Sequence, residues 1–276
     1  MKYTRRTRLL VLDVDGTLLT DDCQITAATR AAVQQVISHG VQVVLASARG
    51  PGALRLIMRE LGIAGLTICY TGALTCQIDP NPHSPIEVVT EQRMNLSSAR
   101  IVLESALELG ISIGWFTGDC WYIPRWDPTL HHESMITEVT PIVAPNLVHF
   151  KEAPHKLQAI VGEAALLPHL DTLARTLPQD CAGQFSHETY LEVTNKGVDK
   201  ATALLALGQQ LDIPLSEIVA IGDRENDVTM LRQVALGIAM GNAPSNVQAE
   251  ADWVTGTNNQ DGVAAAIERL QAEGWI

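Results

Sequence analysis

No stretch of the 276-residue chain approaches the ~20 consecutive apolar residues of a membrane-spanning helix, so no such helix is expected. Positive charge is scarce as well: 19 Lys and Arg stand against 31 Asp and Glu, a formal net charge of −12. That balance excludes nucleic-acid binding through a broad basic face, while leaving room for one small anion at a locally cationic site. Cysteine is sparse and badly spaced for cross-links. The five (Cys23, Cys69, Cys76, Cys120, Cys181) form an odd set without a C-x-x-C pair, which reads as free thiols in a reducing cytoplasm rather than a disulfide framework or zinc knuckle. The basic start "MKYTRRTR" has the flank of a signal peptide, but Asp13 interrupts the apolar run that begins at Leu9.

What is present suits a packed core. Hydrophobic residues make up 46% and charged residues 18%, so disorder is not expected, and the length fits one large domain or two modest ones. Residues 9–14 read as a buried strand, 26–39 as an amphipathic helix with Thr26 as its cap, and "VQVVLAS" as a second apolar strand. A helix at 52–61 and the strand "LTICYTG" continue the alternation, which points to a parallel sheet covered by helices on both faces. The pattern stops near residue 80, where "DPNPHSP" reads as a linker. Between about 84 and 190 helical stretches (97–109, 154–160, 166–177) mix with half-alternating strands, "ISIGWFT", "CWYIPR", "NLVHF" and "LEVT". Buried-strand patterning then resumes with "IVAIGD", "LGIAMGN" and "DWV". The expected fold is therefore α/β: a Rossmann-like parallel-sheet core over 1–83 and 191–276, interrupted by an inserted α+β unit over 84–190.

"LDVDGT" ends the first strand in two carboxylates. Residues i and i+2 of a strand share a side, so Asp13 and Asp15 are presented together at the carboxyl edge, where open parallel sheets place their ligands. Asp223 ends the strand "IVAIGD" and Asp227 follows four residues later; in a right-handed doubly wound sheet both strand ends open onto one crevice. Carboxylates so close repel unless a cation or shared proton relieves them. A hard divalent ion suits all-oxygen ligands, and magnesium, which also pairs with phosphate, suits them best.

"DVDGT", "LASAR", the lysine after "KGV" and "GDREND" resemble, in order, the motifs of the haloacid dehalogenase-like phosphatases. The large insertion and the closing "IAMGNAPSNVQAEADWVTGTNNQDGVAAAI" are similar to the Cof-type subfamily, whose insertion is an α/β cap. The resemblance implies a magnesium-dependent phosphatase acting on small phosphorylated metabolites, sugar phosphates foremost, through an aspartyl phosphate. By this resemblance Asp13 is the nucleophile and Asp15 the general acid and base. Ser47, the backbone N–H groups of Val14 and Ala48, Lys200 and Asn226 would hold the phosphate. Magnesium would be held by Asp13, the Asp15 carbonyl and Asp223, with Asp227 in support. Departures are Ser47-Ala48 where Thr-Gly is usual, Thr71-Gly72 where Asn-Gly is usual, and Ala201 where Gly is common. A mutase or phosphotransferase using the same intermediate, and a sensor that binds without turnover, are the alternatives; no membrane or nucleic-acid partner is expected.

Three weaker signals read more simply. The aromatics Trp115, Phe116, Trp121, Tyr122 and Trp126 suggest the core of a small sheet before a ligand pocket. His131, His132 and Glu133 are adjacent and so do not share a face, which favours a surface loop or helix start over a metal site. Arg49 reads as a solvated residue at a helix start before a partner for a substrate anion.

Overall fold

A computed structural model describes residues 6–276. The strands in chain order are β1 (Leu9–Leu12), β2 (Gln42–Ala46), β3 (Gly65–Cys69), β4 (Leu74–Ile78), β5 (Glu87–Glu91), β6 (Ser112–Thr117) and β7 (Cys120–Ile123). They continue as β8 (Ile142–Val143), β9 (Lys156–Ile160), β10 (Cys181–His187), β11 (Tyr190–Asn195), β12 (Ile218–Gly222), β13 (Leu236–Ala239) and β14 (Trp253–Val254). The helices are α1 (Ala27–Ser38), α2 (Pro51–Leu61), α3 (Leu96–Glu108), α4 (Pro128–Thr137) and α5 (Leu167–Arg175). Those of the last third are α6 (Lys200–Gln210), α7 (Glu225–Gln233), α8 (Ser245–Gln248) and α9 (Gly262–Ala272).

Two sheets result. The first runs β14-β13-β12-β1-β2-β3-β4-β5, parallel from β14 to β3 and antiparallel beyond. Successive residues of its central strand serve opposite layers: Leu10 and Leu12 pack with α1, α2 and α9, whereas Leu9 and Val11 pack with α6 and α7. Both faces are covered, which is why β1 is apolar at every position. Thr26 caps α1 as expected, its side chain accepting from Thr29 N. The second sheet runs β10-β11-β9-β6-β7-β8, with α3 and α5 packed on one face over Ile113, Trp115, Leu157 and Val193.

The structure differs from the sequence reading at four places. The first sheet does not stop near residue 80: "DPNPHSP" is a turn built on the Asp79 and Asn81 side chains, and it returns the chain as β5. The chain crosses to the second sheet after Glu91 and leaves it after Asn195, later than the expected 84 and 191. Residues 156–160 form a strand instead of helix, because all five are buried and paired on both sides, with β6 and β11. A short apolar run does not separate these states by pattern. "NLVHF" holds a turn of 3-10 helix at Leu147–His149 in which only Leu147 is buried.

Candidate active site

β1 ends at Leu12, and Asp13 donates its backbone N–H to the carbonyl of Ile221 in β12 at 3.0 Å. Its carboxylate thus leaves the sheet between two buried strands. Lys200, the first residue of α6, is 0% exposed and lies between two carboxylates: its Nζ donates to Asp13 Oδ1 at 2.6 Å and to Asp227 Oδ1 at 2.7 Å. Asp227 stands in the first turn of α7, where its Oδ2 accepts the backbone N–H of Asp223 at 3.0 Å and of Arg224 at 3.1 Å. Asp223 accepts from Thr17 Oγ1 at 3.3 Å. Gly16 turns the chain at φ 79°, and a methyl group there would run into the Asp223 carboxylate, so this position needs glycine twice over.

One oxygen each from Asp13, Asp223 and Asp227 lies within 4.8 Å of the others. Against three buried carboxylates stand one buried ammonium and the largely exposed Arg224 guanidinium, 3.3 Å from Asp223 Oδ2. Burial above all, then Asp227, pushes the Asp13 carboxyl well above its ordinary range against the pull of Lys200. Burial would by itself lower the Lys200 ammonium, but Asp13 and Asp227 outweigh it and raise it. Asp13 Oδ2 is buried and has no hydrogen-bond partner among the described residues. An all-oxygen donor set, an excess of negative charge and one orphaned oxygen fit a hard divalent cation.

Asp223 is pushed up to about 6, by burial first and Asp227 second. The folded protein thus binds this proton more tightly than the unfolded chain, so the group's contribution to stability is present below its ordinary pKa and lost as pH rises to about 6. With chelator present, acidification from pH 7 to about pH 5 should therefore raise the melting temperature of the wild-type protein relative to Asp223→Asn. Parallel curves for the two proteins would contradict this assignment.

Asp15 departs from the buried group. Its side chain is 52% exposed and forms a fork with Arg49, whose Nη2 donates to Oδ1 at 2.6 Å and whose Nε donates to Oδ2 at 3.0 Å. Arg49 is therefore no solvated helix-start residue. Ser47 follows β2 and is 1% exposed; its N–H donates to the carbonyl of Ile68 at 2.9 Å, and its Oγ accepts from Arg49 N at 3.0 Å. The Ser47 carbonyl accepts from Thr71 N at 2.9 Å. Tyr70 and Thr71 sit at φ 52° and 58°, a left-handed pair that Asn would adopt with less strain than Thr. The Val14 carbonyl closes the turn after β1 by accepting from Thr17 and Leu19 N–H groups. Asn226 opens toward the same space, with its Oδ1 buried and without a partner among the described residues.

A cavity of about 620 Å³ lies between the two sheets. Asp13, Asp15, Ser47, Ala48, Arg49 and Asn226 line its floor, and residues of the second sheet line its roof. Lys156 reaches down from β9 to donate to the Ala48 carbonyl at 3.0 Å, packing over the ring of Phe116. Arg55 of α2 pairs with Asp119 of the β6–β7 turn at 2.6 Å. The aromatic cluster divides: Trp115 is core, Phe116 and Trp121 line the cavity, and Trp126 is exposed. Of the surface loop or helix start expected for His131, His132 and Glu133, the helix is found: all three lie in α4, but Glu133 is buried and faces the cavity.

The model of the haloacid dehalogenase-like hydrolase family matches residues 10–267. The chain belongs to that family. An HMP-PP phosphatase of Yersinia pseudotuberculosis is 30% identical over 263 residues, covering 93% of each chain. A haloacid dehalogenase-like hydrolase from Bacteroides thetaiotaomicron superposes with a TM-score of 0.85 at 28% identity, covering 96% of this chain and all of its own. A Thermotoga maritima protein gives 0.82 at 29% identity, covering 95% of this chain and 97% of its own. The hydrolase is thus an enzyme of phosphatase type. Among its described residues no helix is long and apolar enough to cross a membrane.

Proposed function

We propose that this hydrolase releases phosphate from small phosphorylated metabolites, sugar phosphates foremost, by way of a phosphoryl group carried on Asp13. The supporting observation is the floor of the cavity, where Lys200 ties Asp13 to Asp227 beside Asp223. Asp13 attacks phosphorus, and Asp15 gives a proton to the departing oxygen. Asp15 then takes a proton from water, which attacks the phosphoryl group and restores Asp13. Ser47 Oγ, the N–H groups of Val14 and Ala48, the Asn226 side chain and Lys200 hold the phosphate oxygens. Arg49 holds Asp15 in orientation through its fork.

Magnesium is the proposed metal, held by Asp13, the Asp15 carbonyl and Asp223, with Asp227 in support. When bound, it neutralises charge on the phosphate and on the carboxylates. The unit built on the second sheet is the proposed cap, and it excludes water from the cavity during transfer. The proposed compartment is the cytoplasm, supported by the five free cysteines.

Phosphate release from p-nitrophenyl phosphate and a panel of sugar, nucleotide and cofactor phosphates tests this reading. Turnover should vanish with chelator and return with magnesium. Full turnover in chelator would overturn the metal assignment, and no release from any compound by folded, magnesium-loaded protein would overturn the phosphatase reading.

A further inference from the structure

The roof of the cavity carries buried polar groups that phosphate transfer does not use. In β9 and β11, Gln158 and Glu192 are register partners on the sheet face opposite the α3–α5 layer. Glu133 of α4 joins them, and these three side-chain bearers are 6%, 6% and 7% exposed respectively. Gln158 Nε2 is shared between Glu192 Oε1 at 3.3 Å and Glu133 Oε1 at 3.4 Å, both near the long limit of a hydrogen bond. Tyr190 Oη donates to Glu133 Oε2 at 2.8 Å. Lys156 pairs with Glu192 at 2.5 Å and spends another donor on the Ala48 carbonyl. Glu133 has no ion pair among the described residues, and Arg49, a guanidinium that interacts with it through charge, is already forked to Asp15.

Acceptors therefore exceed donors. The carbonyl of Gln158 and the weakly bonded glutamate oxygens accept, while the amide and phenol already donate, the Ser186 hydroxyl donates to Glu192 Oε1 at 3.4 Å, and Lys156 is divided between Glu192 and the Ala48 carbonyl. Two carboxylates against one ammonium leave one negative charge on a surface largely removed from water. A buried carboxylate without a cation needs strong donors to offset its lost hydration.

We infer that Glu133, with Gln158 and Glu192, determines specificity by reading the end of the leaving group remote from the phosphate, Tyr190 acting only on Glu133 through its hydrogen bond. This station takes a group rich in N–H or O–H donors, a protonated amine or vicinal hydroxyls, and refuses a second anion. The inference rests on the floor being the phosphate site, since the same cavity joins floor and roof. An amine supplies donors and cancels the residual charge, and hydroxyls supply donors alone. A carboxylate or second phosphate at that end would meet Glu133 and Glu192 as like charges at low dielectric.

The test compares kcat/KM for glucosamine 6-phosphate, glucose 6-phosphate and 6-phosphogluconate, with p-nitrophenyl phosphate as reporter of the chemistry; ratios are taken within each enzyme so that changes common to all substrates cancel. Both donor-rich sugars should exceed the gluconate by about tenfold or more, the scale of one charge-assisted hydrogen bond. A lead of the amine over the hydroxyl sugar assigns the preference to charge, and equality assigns it to hydrogen bonding. Glu133→Gln should shrink the ratio about tenfold, and Tyr190→Phe, which leaves the carboxylate less satisfied, should preserve or widen it. Gluconate turned over as well as the sugars, or both variants slowing all substrates alike, would overturn the inference while leaving the phosphatase reading intact. No release even from p-nitrophenyl phosphate would overturn that reading and this inference with it.

Discussion

Asp13→Asn is expected to lower phosphate release by about 10⁴-fold or more, the scale seen when a covalent nucleophile is removed. The amide cannot attack phosphorus, and the neighbouring Ser47, Lys200 and Asn226 have no role that replaces it. Stability should move the other way. Asp13 is one of three carboxylates around a single ammonium, and burial and Asp227 already oppose its charge. An uncharged isostere relieves that repulsion, so the metal-free variant should melt no lower than wild type. Magnesium should raise the melting temperature of wild type but barely that of the variant, because the variant has lost one metal ligand. A variant that melts well below wild type would show that Asp13 serves the fold rather than the reaction.

Lys200→Met carries the largest expected loss of stability, about 3–5 kcal/mol, because it leaves Asp13 and Asp227 buried without their shared cation. Methionine conserves much of the volume, so the loss reports charge more than packing. Asp13 and Asp227 are 5% and 0% exposed, so water compensates little for the lost cation. Urea unfolding of wild type and variant measures the difference directly. Added magnesium should recover part of the stability but not the turnover, since Lys200 also holds phosphate in the proposed mechanism. A loss below about 1 kcal/mol would mean that the two carboxylates do not carry full charge together in the native state.

The floor of the site is legible in the sequence because its residues sit at strand ends and helix starts. Asp13 follows an apolar run, Asp223 follows another, and β1 and β12 are neighbours in the sheet. The i, i+2 rule brings Asp13 and Asp15 to one edge, but it does not disclose that Arg49 draws Asp15 away from the buried cluster. Lys200 stands 187 residues from Asp13 and 27 from Asp227, a juxtaposition that no local pattern carries. Resemblance to a family supplied it.

The roof was legible only in part. Lys156-x-Gln158 and Tyr190-x-Glu192 place polar groups at strand spacing, which is the signature of a two-faced sheet whose polar side looks onto a cavity. Reading 154–160 as helix dissolves that signal, because helical spacing scatters the same residues over different faces. Glu133 was lost for a related reason. Beside two histidines it reads as part of a surface loop or helix start, whereas Asp127 caps α4 and sets the helix so that Glu133 alone of the three turns inward.

The most direct test of the account is to quench the magnesium-loaded enzyme with acid during turnover of its best substrate and to analyse the peptides by mass spectrometry. A phosphoryl group on the peptide containing Asp13, labile to hydroxylamine and absent from Asp13→Asn, is the predicted result. Rapid turnover with no such adduct at any quench time, or an adduct that persists in the variant, would contradict it.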